Sequence, residues 1–109
     1  MTSPWPTALL TALRRGQLLV AEIPASTPDR RAWIAVYPLA TATHAGFNLF
    51  HREFDRAHLD HDWCIGPDDG MIDVRTAHAA DEAELSRRLA HWSVDPGDLD
   101  YAHRSDYPV

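Results

Sequence analysis

Apolar residues along this chain recur at two spacings, and the change from one to the other divides it into elements. After Ser3-Pro4-Trp5-Pro6, the side chains of Leu9, Leu10 and Leu13 share one helical face, and Gly16 stands where a helix commonly ends in positive φ. The spacing predicts a short helix over residues 6–15, with Arg14 and Arg15 in its last turn, where cations complement the helix dipole. Residues 17–23 then read as a strand, stopped by Pro24 and the turn-rich Ala25-Ser26-Thr27-Pro28-Asp29. Trp33, Ile34 and Val36 mark a second strand over residues 32–37, ended by Pro38. Residues 47–50 make a third, with room to extend to Phe54.

Residues 63–65 and 71–74 flank Gly66-Pro67-Asp68-Asp69-Gly70, whose Pro and Asp-Gly content predicts a hairpin of strands four and five. Asp81 followed by Glu84 has the form of a capping box with Asp in the cap role, and Leu85, Leu89 and Trp92 follow at helical spacing, so a second helix is expected over residues 81–92. Asp95-Pro96-Gly97-Asp98 ends it in a turn. The remaining polar tail, with Tyr101 and Tyr107 as anchors, either adds a short strand or packs along the surface. The expected fold is a single α+β domain over residues 1–109. It has an about five-stranded, largely antiparallel sheet, with the N-terminal and C-terminal helices on one face because each has one apolar stripe to bury. Trp33, Trp63 and Trp92 are expected to meet in the core, and Trp5 to staple the N-terminus.

Composition narrows the functional classes. The 109 residues are 45% hydrophobic, normal for one domain with a real core. Net charge is −6, and all ten basic residues are arginine, which reads as a GC-rich coding bias. Such a charge opposes nucleic acid and anionic lipid alike, and favours a basic protein partner or simple solubility. Apolar runs such as residues 18–21 are far too short to span a bilayer. The single Cys64 excludes an internal disulfide, and residues 1–6 lack a basic and apolar leader pattern, so cytoplasmic residence is the expectation.

The densest collection of chemistry-bearing side chains is His51, Glu53, Asp55, His58, Asp60, His61, Asp62 and Cys64. Were residues 51–61 helical, His51, Asp55 and His58 would share one face. With His61 they form the candidate set for a metal-dependent or acid-base enzyme, since imidazole with carboxylate suits Zn, Mn, Fe or Ni. The helical His-Glu-x-x-His pattern is absent, and the alternative is a solvated connection between strands. The serines form no nucleophile elbow, and the dispersed glycines form no phosphate loop. Glu22, in an otherwise apolar strand, is a general base only if buried; at a strand end its carboxylate sits in water.

No cofactor is therefore expected. What remains is a noncatalytic protein-binding module, with steric and electrostatic occlusion as its mechanism. The first candidate patch is Asp95, Asp98, Asp100, Tyr101, Asp106 and Tyr107, where aromatic anchors mix with carboxylates; the second is Asp60, Asp62, Asp68 and Asp69. In size, charge and element content the chain resembles the small acidic α+β immunity proteins that neutralise bacterial toxins. That resemblance implies a basic toxin or effector as partner and carries no motif. A third reading is a secretion chaperone or adaptor that binds an extended segment along an apolar groove or sheet edge.

Overall fold

A computed structural model describes residues 5–40, 45–61 and 70–108. Its elements are α1 (Thr7–Arg14), β1 (Leu19–Ile23), β2 (Arg30–Ala40), β3 (Ala45–Asp55), α2 (Arg56–Asp60), β4 (Met71–Ala79), α3 (Glu82–His91) and β5 (Asp100–Tyr101), with single 3₁₀ turns at Pro96–Asp98 and Ala102–Arg104. The five strands form one sheet in the order β4-β3-β2-β1-β5, and every pairing is antiparallel.

Both long helices cover the same sheet face, as their apolar stripes require. Leu9, Ala12 and Leu13 of α1 and Leu85 and Leu89 of α3 pack on Leu19, Ala21, Ile34, Val36, Phe47 and Leu49. Fully burying one such aliphatic side chain is worth about 1.5–3 kcal/mol, so this layer is the main source of stability. Asp81 caps α3 by accepting a hydrogen bond from the Glu84 N–H at 2.8 Å, as its sequence pattern predicts. Gly16 follows α1 with φ +82°. Trp5 is buried, and its indole Nε1 donates to Ser86 Oγ at 2.7 Å, which pins the N-terminal segment to α3.

The strands depart from the sequence reading in instructive ways. β2 does not stop at Pro38: it runs to Ala40, with Pro38 opposite Phe47 of β3. β1 pairs with β2 only as far as Val36, so Pro38 has a strand on one side alone, and its missing N–H breaks no ladder bond on the other. β3 is likewise longer than residues 47–50, and β4 continues to Ala79. The fifth strand is the two-residue β5 in the tail, paired with the start of β1. The strand expected over residues 63–65 and residues 66–69 of the turn after it lie outside the described residues.

The tryptophans correct a second expectation. Trp33 belongs to the face that neither long helix covers (the helix-free face, which the short α2 touches through Leu59), with Val20, Ala35, Phe54 and Tyr107, whereas Trp92 packs against the helix-covered core. The side-chain alternation of β2 sends Trp33 and Ile34 to opposite sides. Trp63 is outside the described residues. No described helix is long and apolar enough to cross a membrane.

Gly46 is required by its position: φ is +131°, and an added Cβ would collide with the carbonyl oxygen of Ala79. Gly46→Ala is therefore expected to lower the unfolding free energy by about 1–3 kcal/mol in chemical denaturation. Gly97→Ala, whose Cβ meets no atom closer than 3.4 Å, should change it little.

Candidate functional site

The helix-free face of the sheet gathers an arginine and aromatic cluster. Antiparallel register sends Glu22, Arg31, Trp33, Tyr37, Phe50, Arg52, Phe54 and Asp73 to this side. Trp33, Phe54 and Tyr107 meet edge to face at centroid distances of 5.5–6.0 Å, and Tyr37 meets Phe50 in the same way at 5.3 Å. Tyr107 arrives from the C-terminal tail and Leu59 from α2, and together they cover Trp33 and Phe54.

Arg52 organises the outer layer. Its guanidinium lies 4.1 Å from the centroid of the Phe50 ring, and Nε donates to Asp73 Oδ1 at 2.7 Å. Nη1 donates to the hydroxyls of Tyr37 and Tyr107, each at 3.2 Å, and the two hydroxyls bond to one another at 2.9 Å. Burial, followed by the bond with Tyr107, pushes the Tyr37 hydroxyl far above the usual phenol range, so it stays protonated. Arg31 repeats the arrangement at the neighbouring position. It lies 4.7 Å from the Trp33 ring centroid, donates twice to Glu22 at 2.8 Å, and reaches Asp106 at 3.3 Å. Its two bonds hold the Glu22 carboxyl below the usual range. Glu22 is therefore an exposed, paired carboxylate and not a buried base.

The first predicted patch is divided by this geometry. Tyr107 and Asp106 lie on the helix-free face; Tyr107 is buried, while Asp106 is 79% exposed. Asp100, opposite Val20, also points to this side, and its Oδ1 accepts from the Tyr101 N–H at 2.7 Å. Tyr101, opposite Leu19, packs against the helix-covered core. Asp95 caps the 3₁₀ turn by accepting from the Gly97 N–H at 2.9 Å, and Asp98 is exposed in that turn. Of the second patch, Asp60 is exposed in α2, and Asp62, Asp68 and Asp69 lie outside the described residues.

The histidine segment is not one helix. Residues 51–55 complete β3 and only residues 56–60 are helical, so His51 and His58 belong to different elements. His58 Nδ1 lies 3.6 Å from Asp55 Oδ2, and His61 is exposed at the end of α2. Among the described residues no three His, Cys, Asp or Glu side chains are gathered as a metal site requires. What the strand does create is an alternation of His51, Glu53 and Asp55 on the helix side, beyond the main helix contacts.

Glu53 is the charged residue of most structural consequence there, at 1% exposure. Burial opposes its ionisation, but the Ser26 hydroxyl at 2.6 Å, the Ser26 N–H at 2.8 Å and Arg30 at 3.4 Å outweigh it, and its pKa lies below the usual carboxylate range. Beside it, His51 accepts from Arg75 Nε through Nδ1 at 3.1 Å, and its Nε2 lies 3.9 Å from Glu53. Arg75 in turn stacks on Trp92 at 4.6 Å. Burial and then the Arg75 charge hold His51 below the usual imidazole range, partly offset by Glu53.

A comparison of the chain with protein-family models, curated proteins and solved structures yields no match.

The depressed His51 pKa fixes the sign of a pH effect. The unfolded chain takes up a proton near pH 6.5 while the folded chain does so only at lower pH, so the unfolded state binds more protons in between and stability rises with pH there. The contribution is complete above about pH 6.5 and is lost as pH falls through the folded-state pKa. His51→Gln, followed by urea denaturation between about pH 5 and 7, should flatten this slope. An unchanged slope would assign the effect to other histidines.

Proposed function

We propose that this protein is a noncatalytic protein-binding module, and most concretely an inhibitor that neutralises a basic toxin or effector by occluding its active site. The observation that supports the reading is the composition of the helix-free sheet face. Tyr37, Phe50 and Arg52 are half-buried there among Glu22, Asp73, Asp100 and Asp106. Binding hot spots are enriched in aromatic residues and arginine, and an acidic rim on a chain of net charge −6 complements a basic partner and speeds its approach. The face is also held in place in advance by its own hydrogen bonds, so little side-chain entropy is lost on docking. Asp100 and Asp106 of the first sequence patch belong to this surface, with Tyr107 buried beneath it. Asp95 and Asp98 are assigned to the turn.

A second reading, an adaptor that accepts an extended segment, is favoured by one feature. Among the described residues β4 has β3 as its one strand neighbour, and it carries the exposed apolar side chains Ile72 and Val74. Strand addition uses such an edge.

Wild type, Phe50→Ala, Asp106→Ala and Ile72→Ser are to be used in parallel as bait with lysate of the source organism, and binding of any shared captured protein measured calorimetrically. Phe50→Ala should weaken binding by about 2 kcal/mol or more, roughly thirtyfold. Asp106→Ala should mainly slow association and reduce its salt dependence. If Ile72→Ser alone weakens binding, the adaptor reading replaces the inhibitor. Equal affinity for all four proteins would refute both.

A further inference from the structure

Away from that face, the groove between α1 and the tail has the opposite electrostatic character. A cavity of about 390 Å³ is lined by Thr11, Arg15 and Gln17 from one segment and by Tyr101, His103 and Arg104 from the other, and no carboxylate contributes to its wall among the described residues. In a chain with sixteen acids and ten arginines, Arg15 and Arg104 both line this acid-free wall. The helix dipole accounts for Arg15, which caps the C-terminus of α1, but not for Arg104, delivered by the tail. Neither side chain forms an ion pair among the described residues, in contrast to Arg14, Arg30, Arg31, Arg52 and Arg88.

The Tyr101 ring prepares one of these donors, Arg104. Arg104 lies 5.1 Å from the Tyr101 ring centroid, and His103 stacks on the same residue at 5.4 Å with an interplanar angle of 28°. Stacking engages the face of a guanidinium and leaves its in-plane N–H groups free to form a fork toward an oxyanion. Arg15 supplies a second fork, and the Gln17 amide, the Thr11 hydroxyl and a His103 ring N–H are further donors. Two positive charges match a dianion better than a single carboxylate, and the volume falls within the usual range for small-ligand clefts, about 300–1,000 Å³. We infer that this cavity is a binding site for a small phosphate monoester, with Arg15 and Arg104 clasping the phosphate. The inference is independent of the protein-binding reading, since the surface lies on another side of the sheet and uses none of Phe50, Arg52 or Asp106.

The test is NMR titration of ¹⁵N-labelled full-length protein, following arginine Nε–H signals and backbone amides, with inorganic phosphate and with glucose 6-phosphate as separate probes. Saturable shifts of Arg15 and Arg104 by both probes are expected, with dissociation constants of about 1 mM or tighter for the ester. The double variant Arg15→Gln/Arg104→Gln should weaken binding at least about tenfold. Arg87→Gln, which removes an arginine outside the cavity, should leave binding unchanged. Circular dichroism reports folding of each variant, and the single variants serve where the double variant does not fold. Absence of saturable shifts with either probe would overturn the inference. Shifts that persist in the double variant, or that Arg87→Gln reduces equally, would also overturn it.

Discussion

Two apolar faces on one sheet have to be covered in this protein, and the two long helices cover only one of them. Trp33 and Phe54, on the other side, are as buried as any aliphatic residue beneath the helices. Their burial depends on a C-terminal tail that crosses the sheet and inserts Tyr107 beside them. A side chain of that size left open to water would forfeit several kcal/mol of apolar burial. The tail is therefore part of the fold. Its polar anchors, the Tyr107 hydroxyl on Tyr37 and Arg52 and the Asp106 carboxylate on Arg31, set which groups are left facing outward.

The same constraint separates the chemistry by location. On the helix-free face each arginine is occupied twice, by a ring beneath it and a carboxylate beside it, so this surface is rigid and acidic at its rim. Between α1 and the tail the arginines lack such carboxylates, and the cavity is open to an anion. At the far end of β3 the buried Glu53 ties the turn before β2 to the sheet through Ser26 and Arg30. A buried carboxylate is retained only where several donors serve it together, and here they come from a loop that otherwise has little apolar surface to hold it.

Much of the fold was legible in the sequence, and the failures have physical causes. Helical spacing of Leu9, Leu10 and Leu13, and of Leu85, Leu89 and Trp92, located both helices and their common side. Pro38 predicts a stop because proline interrupts a two-sided ladder, but its strand is one-sided there. Residues 51–61 were ambiguous because a strand of alternating charge followed by a single helical turn imitates the spacing of one polar helix. The surface cluster was only partly visible. Asp100, Asp106 and Tyr107 were identifiable as an aromatic and acidic patch, but Tyr37, Phe50 and Arg52 are brought to them by sheet register, which local pattern does not encode. Alternation within Phe50 to Phe54 was the one available signal: it puts Arg52 between two aromatic residues on a single face.

The tail is a fixed cover for the helix-free face and gives that face one defined surface. Native-state hydrogen exchange across a series of low denaturant concentrations measures this directly, by comparing the amides of Ala102 and Tyr107 with that of Trp33 in β2. If the tail is integral, these amides exchange with the same denaturant dependence and opening free energy as Trp33, through global unfolding. Exchange of Ala102 and Tyr107 through a separate opening, several kcal/mol below the global value and independent of denaturant, would contradict it.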